Sequence, residues 1–183
     1  EDLRFDGYKI IPFSVSHGVP SLGYSIVEDM RPGKFNKKRA LELGIPEGPL
    51  FSKLQKGETI KLENGKKITP DMVLGSPRKG RKIVFSGDTR PTKNIVEISK
   101  DADVLIHEAT FTEEFKDISS EYGHSTASEA ATIAKNANVK NLYLTHISPR
   151  YLNNSEIEKE AKRIFENSFA PRDFQKVEVK LEK

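Results

Sequence analysis

The sequence predicts an α/β layered fold, and three observations carry that expectation. From Lys82 onward a pattern repeats three times: an apolar run, a short polar motif, then a helix-like stretch. Ahead of it, residues 8–16 and 22–28 are rich in β-branched and aromatic side chains, as strands are. The chain's 183 residues also suffice for one substantial core, with room for an appendage. Strand–helix alternation of this kind builds sheets flanked by helices, with ligands at the carboxyl ends of the strands.

The first two strands, 8–16 and 22–28, are separated by a turn around Gly18 and Pro20. From Arg31 to Gly57 the texture changes, with three prolines and four glycines in 27 residues and a lysine-rich helical stretch from Asn36 to Leu43. That density of breakers argues against a core element and for a protruding arm. Residues 58–74 then read as a small hairpin about Asn64-Gly65, a strong turn signal. A basic loop, Ser76-Pro-Arg-Lys-Gly-Arg-Lys, leads into the repeats. Their strands are expected at Lys82–Ser86, Val104–Ile106 and Asn141–Thr145, and their helices near Thr92–Lys100, Ser125–Asn136 and Ser155–Glu166. A last strand is expected at Val177–Leu181. The chain opens on Glu1 and reaches its first strand within ten residues, which reads as entry into the middle of a domain.

Composition narrows the chemistry. The absence of cysteine excludes disulfides, thiolate metal sites and a cysteine nucleophile, so any metal must be held by imidazole and carboxylate. The net charge of +3 suits a polyanionic partner and an ordinary lysine-rich surface equally well. No apolar run approaches the roughly 18 residues of a membrane span. The cytoplasm is the expected compartment, and no membrane partner is expected.

All four histidines fall inside short motifs. They are His17 in Ser-His-Gly-Val-Pro, His107 in Ile-His-Glu-Ala-Thr, His124 in Tyr-Gly-His-Ser-Thr and His146 in Leu-Thr-His-Ile-Ser-Pro-Arg-Tyr. Imidazole is the commonest metal ligand and the side chain best suited to moving protons near neutral pH. Asp88 and His146 each directly follow a strand, where a side chain is held rigidly at one rim of a sheet. A carboxylate at such a rim can bridge two divalent ions, although Asp88 could also cap a helix before Pro91. His146 could equally be a hydrogen-bonded buried histidine, and His17, in a turn, an idle surface residue. Glu108 ends another strand and can orient a neighbouring histidine and raise its pKa, His124 being the natural partner. His107, after Leu105-Ile106, reads as structural. Arg150, beside Ser148 and just past His146, is placed to grip phosphate, or is an exposed surface arginine.

These motifs resemble, in order and over nearly the whole chain, the ribonuclease Z family of the metallo-β-lactamase superfamily. Gly-Asp-Thr and Thr-His are shared across the superfamily, whereas His-Glu-Ala-Thr, His-Ser-Thr and the arm around Gly-Ile-Pro-Glu-Gly-Pro belong to the family. The resemblance implies the C-terminal half of an αβ/βα four-layer sandwich: core strands in 1–30, a flexible substrate-binding arm in 31–57, and core again in 58–183. It implies two zinc ions (Zn2+), with His17 completing the first site, Asp88 bridging and His146 serving the second. His124, oriented by Glu108, would be the proton donor to the leaving 3′-oxygen. Arg90, Ser148 and Arg150 would hold substrate near the cut, and Gly48 and Pro49 would serve the arm's grip on precursor transfer RNA. A homodimer is implied as well. The superfamily's His-x-His-x-Asp-His motif, expected upstream of His17, is absent from this sequence. The 183 residues alone are therefore expected to bind zinc weakly and to cleave nothing. A non-catalytic RNA-binding fragment using the arm and Arg78–Lys82, or a related dinuclear hydrolase acting on another phosphodiester, are the alternatives.

Overall fold

The computed structural model describes residues 1–181. Its strands are β1 (Leu3–Phe5), β2 (Tyr8–Ser14), β3 (Leu22–Glu28), β4 (Ile60–Lys61), β5 (Lys67–Ile68), β6 (Lys82–Phe85), β7 (Val104–Glu108), β8 (Asn141–Thr145) and β9 (Ser168–Phe169). The α-helices are α1 (Lys37–Glu42), α2 (Pro49–Gln55), α3 (Lys93–Ser99), α4 (Lys116–Tyr122), α5 (Ala127–Asn136) and α6 (Ser155–Lys162). The chain divides into two compact units, Glu1–Glu28 with the segment from Arg81 onward, and Asp29–Gly80.

The first unit is a seven-stranded mixed sheet in the order β1-β2-β3-β6-β7-β8-β9. β1, β2, β3 and β6 pair antiparallel, whereas β6, β7, β8 and β9 pair parallel, so the expected α/β alternation is present. Helices cover one face. Val84, Leu105, Leu142 and Leu144 bury there against Ile95 of α3, Ala130, Ala131 and Ala134 of α5, and Ile157 and Ala161 of α6. Alanine on α5 lets its backbone lie close to the sheet. That helix starts cleanly because Thr126 and Glu129 form a reciprocal capping box: Glu129 N–H donates to the Thr126 hydroxyl (3.2 Å) and Thr126 N–H to the Glu129 carboxylate (3.0 Å). The other face is largely open, with Leu22, Tyr24, Ile26 and Phe85 all exposed. Tyr24 pairs with Phe85 and Ile26 with Ile83, so these side chains form one continuous apolar patch.

Several elements differ from the sequence expectation. β1 was not anticipated; it folds back on β2 through Asp6-Gly7. Val177–Leu181 forms no strand. Its backbone is held by a side chain, the Arg81 guanidinium donating to the Val179 carbonyl (2.8 Å) while also pairing with Glu28. The alternation of valine and charge reads as a strand, but here it lines shallow clefts beside Ile26, Ile83 and Tyr143.

The second unit is wider than the 31–57 segment expected as an arm. It runs from Asp29 to Gly80, so the 58–74 hairpin belongs with it rather than with the sheet. The reason is burial. Ile60 of β4 and Ile68 of β5 join Ala40, Ile45, Leu54 and Val73 in a core of their own. α2 was missed because its Gly-Pro start looked like a breaker. Proline at the first helical position is instead favoured, its missing N–H being unneeded there. Gly48 caps this helix at φ +135°, backbone that other residues rarely adopt.

Candidate metal centre

Four strand ends and one helix start bring the motif residues of the first unit together. β6 ends at Phe85, and the chain then turns through Gly87 at φ +64° to present Asp88. A β-carbon on Gly87 would stand 3.0 Å from the Leu22 carbonyl oxygen, so glycine permits this close turn. β8 ends at Thr145, and the next residue, His146, sits at φ +55°. A bulky side chain in left-handed backbone costs about 1–3 kcal/mol, and such strain concentrates at functional sites. β7 delivers Glu108, which is 1% exposed. α4 ends at Gly123, φ +85°, and His124 follows before the Thr126 cap. The loop between β2 and β3 brings in His17.

One oxygen each from Asp88 and one nitrogen each from His124 and His146 lie within 4.8 Å of one another. His146 Nε2 is 3.6 Å from Asp88 Oδ2. That is too long for a hydrogen bond. It matches instead the roughly 3.4 Å expected between two ligands that share a tetrahedral zinc at bond lengths near 2.0–2.2 Å. The imidazole rings stand in a row, His17 to His124 and His124 to His146, with centroids 5.1 Å apart in each pair. His17 Nδ1–H donates to the Gly123 carbonyl (2.9 Å), and a β-carbon on Gly123 would lie 2.8 Å from that nitrogen. His124 Nδ1 is 2.9 Å from Glu108 Oε1. Both rings thus have Nδ1 committed to a protein acceptor, with Nε2 remaining, the arrangement that orients metal-ligating or proton-donating histidines. The donor set of imidazole and carboxylate suits zinc and other divalent transition ions.

Glu108 is the hub. Its Oε1 accepts from Thr89 N–H (3.0 Å) and faces His124, while its Oε2 accepts from Thr110 N–H (3.1 Å) and lies 2.9 Å from the Thr110 hydroxyl. That hydroxyl is also 2.9 Å from His146 Nδ1. Sequence reasoning missed Thr89 and Thr110; the only signal was their place inside Gly-Asp-Thr and His-Glu-Ala-Thr.

The other expected residues divide. Arg150 is exposed, with its guanidinium carbon 4.3 Å and 4.9 Å above the rings of Phe115 and Phe111, a cation–π perch that fixes the group without consuming its hydrogen bonds. Ser148 is tied to the same loop, its N–H donating to the Thr110 carbonyl (3.1 Å). Arg90, expected to hold substrate, is instead turned toward α4, donating from Nε to the Ser120 carbonyl (2.8 Å) and from Nη2 to that of Glu121 (3.3 Å). It satisfies carbonyls that a helix end leaves open. Gly48 and Pro49 lie in the second unit, where they begin α2. His107 is fully buried with Nδ1 2.7 Å from the Glu108 carbonyl, and burial holds its pKa below the ordinary 6.5.

Residues 55–147 match the family model described as the Beta-lactamase superfamily domain. Curated relatives named Ribonuclease Z include one from Archaeoglobus fulgidus, 55% identical over 98% of this chain and 59% of its own length. Another, from Methanosarcina acetivorans, is 47% identical over 95% of this chain and 57% of its own. The chain thus spans less than two thirds of the relatives it matches. Among solved structures, the short form of human tRNase Z aligns with a TM-score of 0.59 at 25% identity, over 98% of this chain and 46% of that one. A metallo-β-lactamase fold protein from Bacillus subtilis aligns equally well, at 0.59 and 18% identity, and shows the fold alone. With more than half its length inside the family model and this fold around its histidines, the chain belongs to the beta-lactamase superfamily.

Proposed function

We propose that this chain is the C-terminal part of a zinc-dependent endoribonuclease that removes 3′ trailers from precursor transfer RNA, leaving a 3′-hydroxyl. The observation that carries the reading is the convergence of Asp88, His146 and the Glu108–His124 pair at one end of the sheet. The names of the relatives support the substrate.

In this reading His17, Asp88 and His146 would hold two zinc ions. A divalent pair supplies Lewis acidity to the phosphodiester and steadies the charge that builds on its oxygens. Among the described residues three donors serve two ions, so further donors come from the remaining length that the relatives possess. Glu108 holds the Nδ1 proton of His124 and so turns the ring with Nε2 toward the leaving oxygen, where it would hand over a proton. When water adds to phosphorus and the P–O3′ bond breaks, that proton passes to O3′, the transfer RNA departs with its hydroxyl and the trailer keeps the phosphate. The proton shed by the attacking water leaves to solvent, from which His124 is recharged. Arg150 and Ser148 grip the phosphate. Residues 29–80 carry 12 lysines and arginines against 6 acidic residues, although the whole chain is only +3, and this surplus suits contact with an RNA backbone. The protein works as a cytoplasmic homodimer.

The test is His124→Ala in the full-length protein, followed by single-turnover cleavage of a precursor transfer RNA and by metal analysis. The chemical step should slow by about 10²–10⁴-fold with the metal content unchanged. Loss of metal would make His124 a ligand rather than the proton donor, and an unchanged rate would remove it from the reaction.

A further inference from the structure

The Thr110 hydroxyl has one proton and two neighbours, Glu108 Oε2 and His146 Nδ1, each at 2.9 Å. A carboxylate oxygen only accepts, so the hydroxyl proton must point at Glu108. Turning it toward His146 would leave oxygen lone pairs facing each other across 2.9 Å in a buried place, and Thr110 is only 7% exposed. With the proton spent, the contact to His146 can be a hydrogen bond only if Nδ1 carries hydrogen and donates. We propose that Thr110 is a positioning residue that fixes His146 as its Nδ1–H tautomer, leaving the Nε2 lone pair aimed at the ion beside Asp88. The inference rests on His146 being a metal ligand, as argued above.

The backbone makes the device rigid. Thr110 N–H donates to the same Glu108 oxygen (3.1 Å), the Thr110 carbonyl accepts from Ser148 N–H (3.1 Å), and Ala109 N–H donates to the Thr145 carbonyl (2.9 Å). The segment after β7 is thereby clipped to the residues on either side of His146, and the stiff β-branched side chain holds one direction. One buried carboxylate therefore sets both rings, His124 directly through Oε1 and His146 at one remove through Oε2. The left-handed backbone of His146 shows why a second restraint is needed: its main chain alone does not favour this position.

Long-range proton–nitrogen correlation spectra of the full-length, metal-free protein read the tautomer without any need for cleavage. His146 should appear as Nδ1–H in the wild type, and an Nε2–H signal there would overturn the proposal outright. Thr110→Val keeps the shape and removes the hydroxyl, so His146 should lose its single tautomer while His124 keeps Nδ1–H. Zinc affinity, measured by competition with a chelator, should fall roughly 10–100-fold. Thr110→Ser should restore both readouts, and Thr110→Ala replaces the valine variant if the latter does not fold. A valine or alanine variant with wild-type tautomer and affinity, or a serine variant no better than valine, would show that Thr110 only packs. None of these outcomes depends on whether the substrate is transfer RNA, so the proposal and the functional reading fail separately.

Discussion

At the scale of single residues the centre is built from commitments of Nδ1. His17 gives its own to a carbonyl and His124 to Glu108, and the three rings stand side by side because each is held from behind. The histidines and Asp88 were legible in the sequence because each sits in a short motif at an element's end. Thr110 was not, because a hydroxyl gives no pattern of its own and its meaning depends on which two groups reach it in space. The left-handed backbone of His146 was equally invisible, since nothing in Leu-Thr-His-Ile-Ser-Pro marks that position for φ +55°. It has a measurable consequence. In ordinary extended or helical positions glycine is less stable than alanine by roughly 0.5–1 kcal/mol. At position 146 the order should invert. His146→Gly should be more stable than His146→Ala by about 1 kcal/mol in chemical denaturation of the metal-free protein. The usual order would mean that the backbone is relaxed there.

At the scale of elements, the strands of the parallel half were readable because buried parallel strands are nearly continuous apolar runs. β8 lies where expected, while β7 extends two residues further, taking His107 and Glu108 into the strand. That extension separates their environments. Glu108 reaches the rim, whereas His107 lies buried with Nε2 lacking a partner among the described residues. Charging it would place a cation in an apolar layer, so burial lowers its pKa below 6.5. The sign follows: as pH falls below 6.5 the unfolded chain takes up this proton before the folded one does, and stability declines. His107→Leu should flatten that decline when unfolding free energies are compared at about pH 7.5 and about pH 5.5. An unchanged slope would place the acid sensitivity elsewhere. α2 and α4 were missed for opposite reasons. α2 begins with residues that usually stop a helix, and α4, Lys-Asp-Ile-Ser-Ser-Glu-Tyr, offers too little apolar periodicity to stand out. Val177–Leu181 shows the converse: alternation satisfies the pattern for a strand, but a strand needs an edge to pair with.

At the scale of the whole molecule, the sheet is half covered. Helices bury one face, and the other leaves Leu22, Tyr24, Ile26 and Phe85 in solvent, a continuous apolar surface of the kind that proteins ordinarily cover. The donor set has the same character, since Asp88, His124 and His146 bring together three donor atoms, fewer than two ions would need. Both observations accord with a chain that spans 57–59% of its ribonuclease Z relatives. The central claim is that Asp88 joins two ions at the rim of this sheet. Metal analysis of the full-length protein before and after Asp88→Ala tests it most directly. Two zinc ions per chain should be found in the wild type, and both should be weakened together in the variant, because a bridging carboxylate serves each. Loss of one ion with the other retained at full affinity, or full retention of both, would contradict the account.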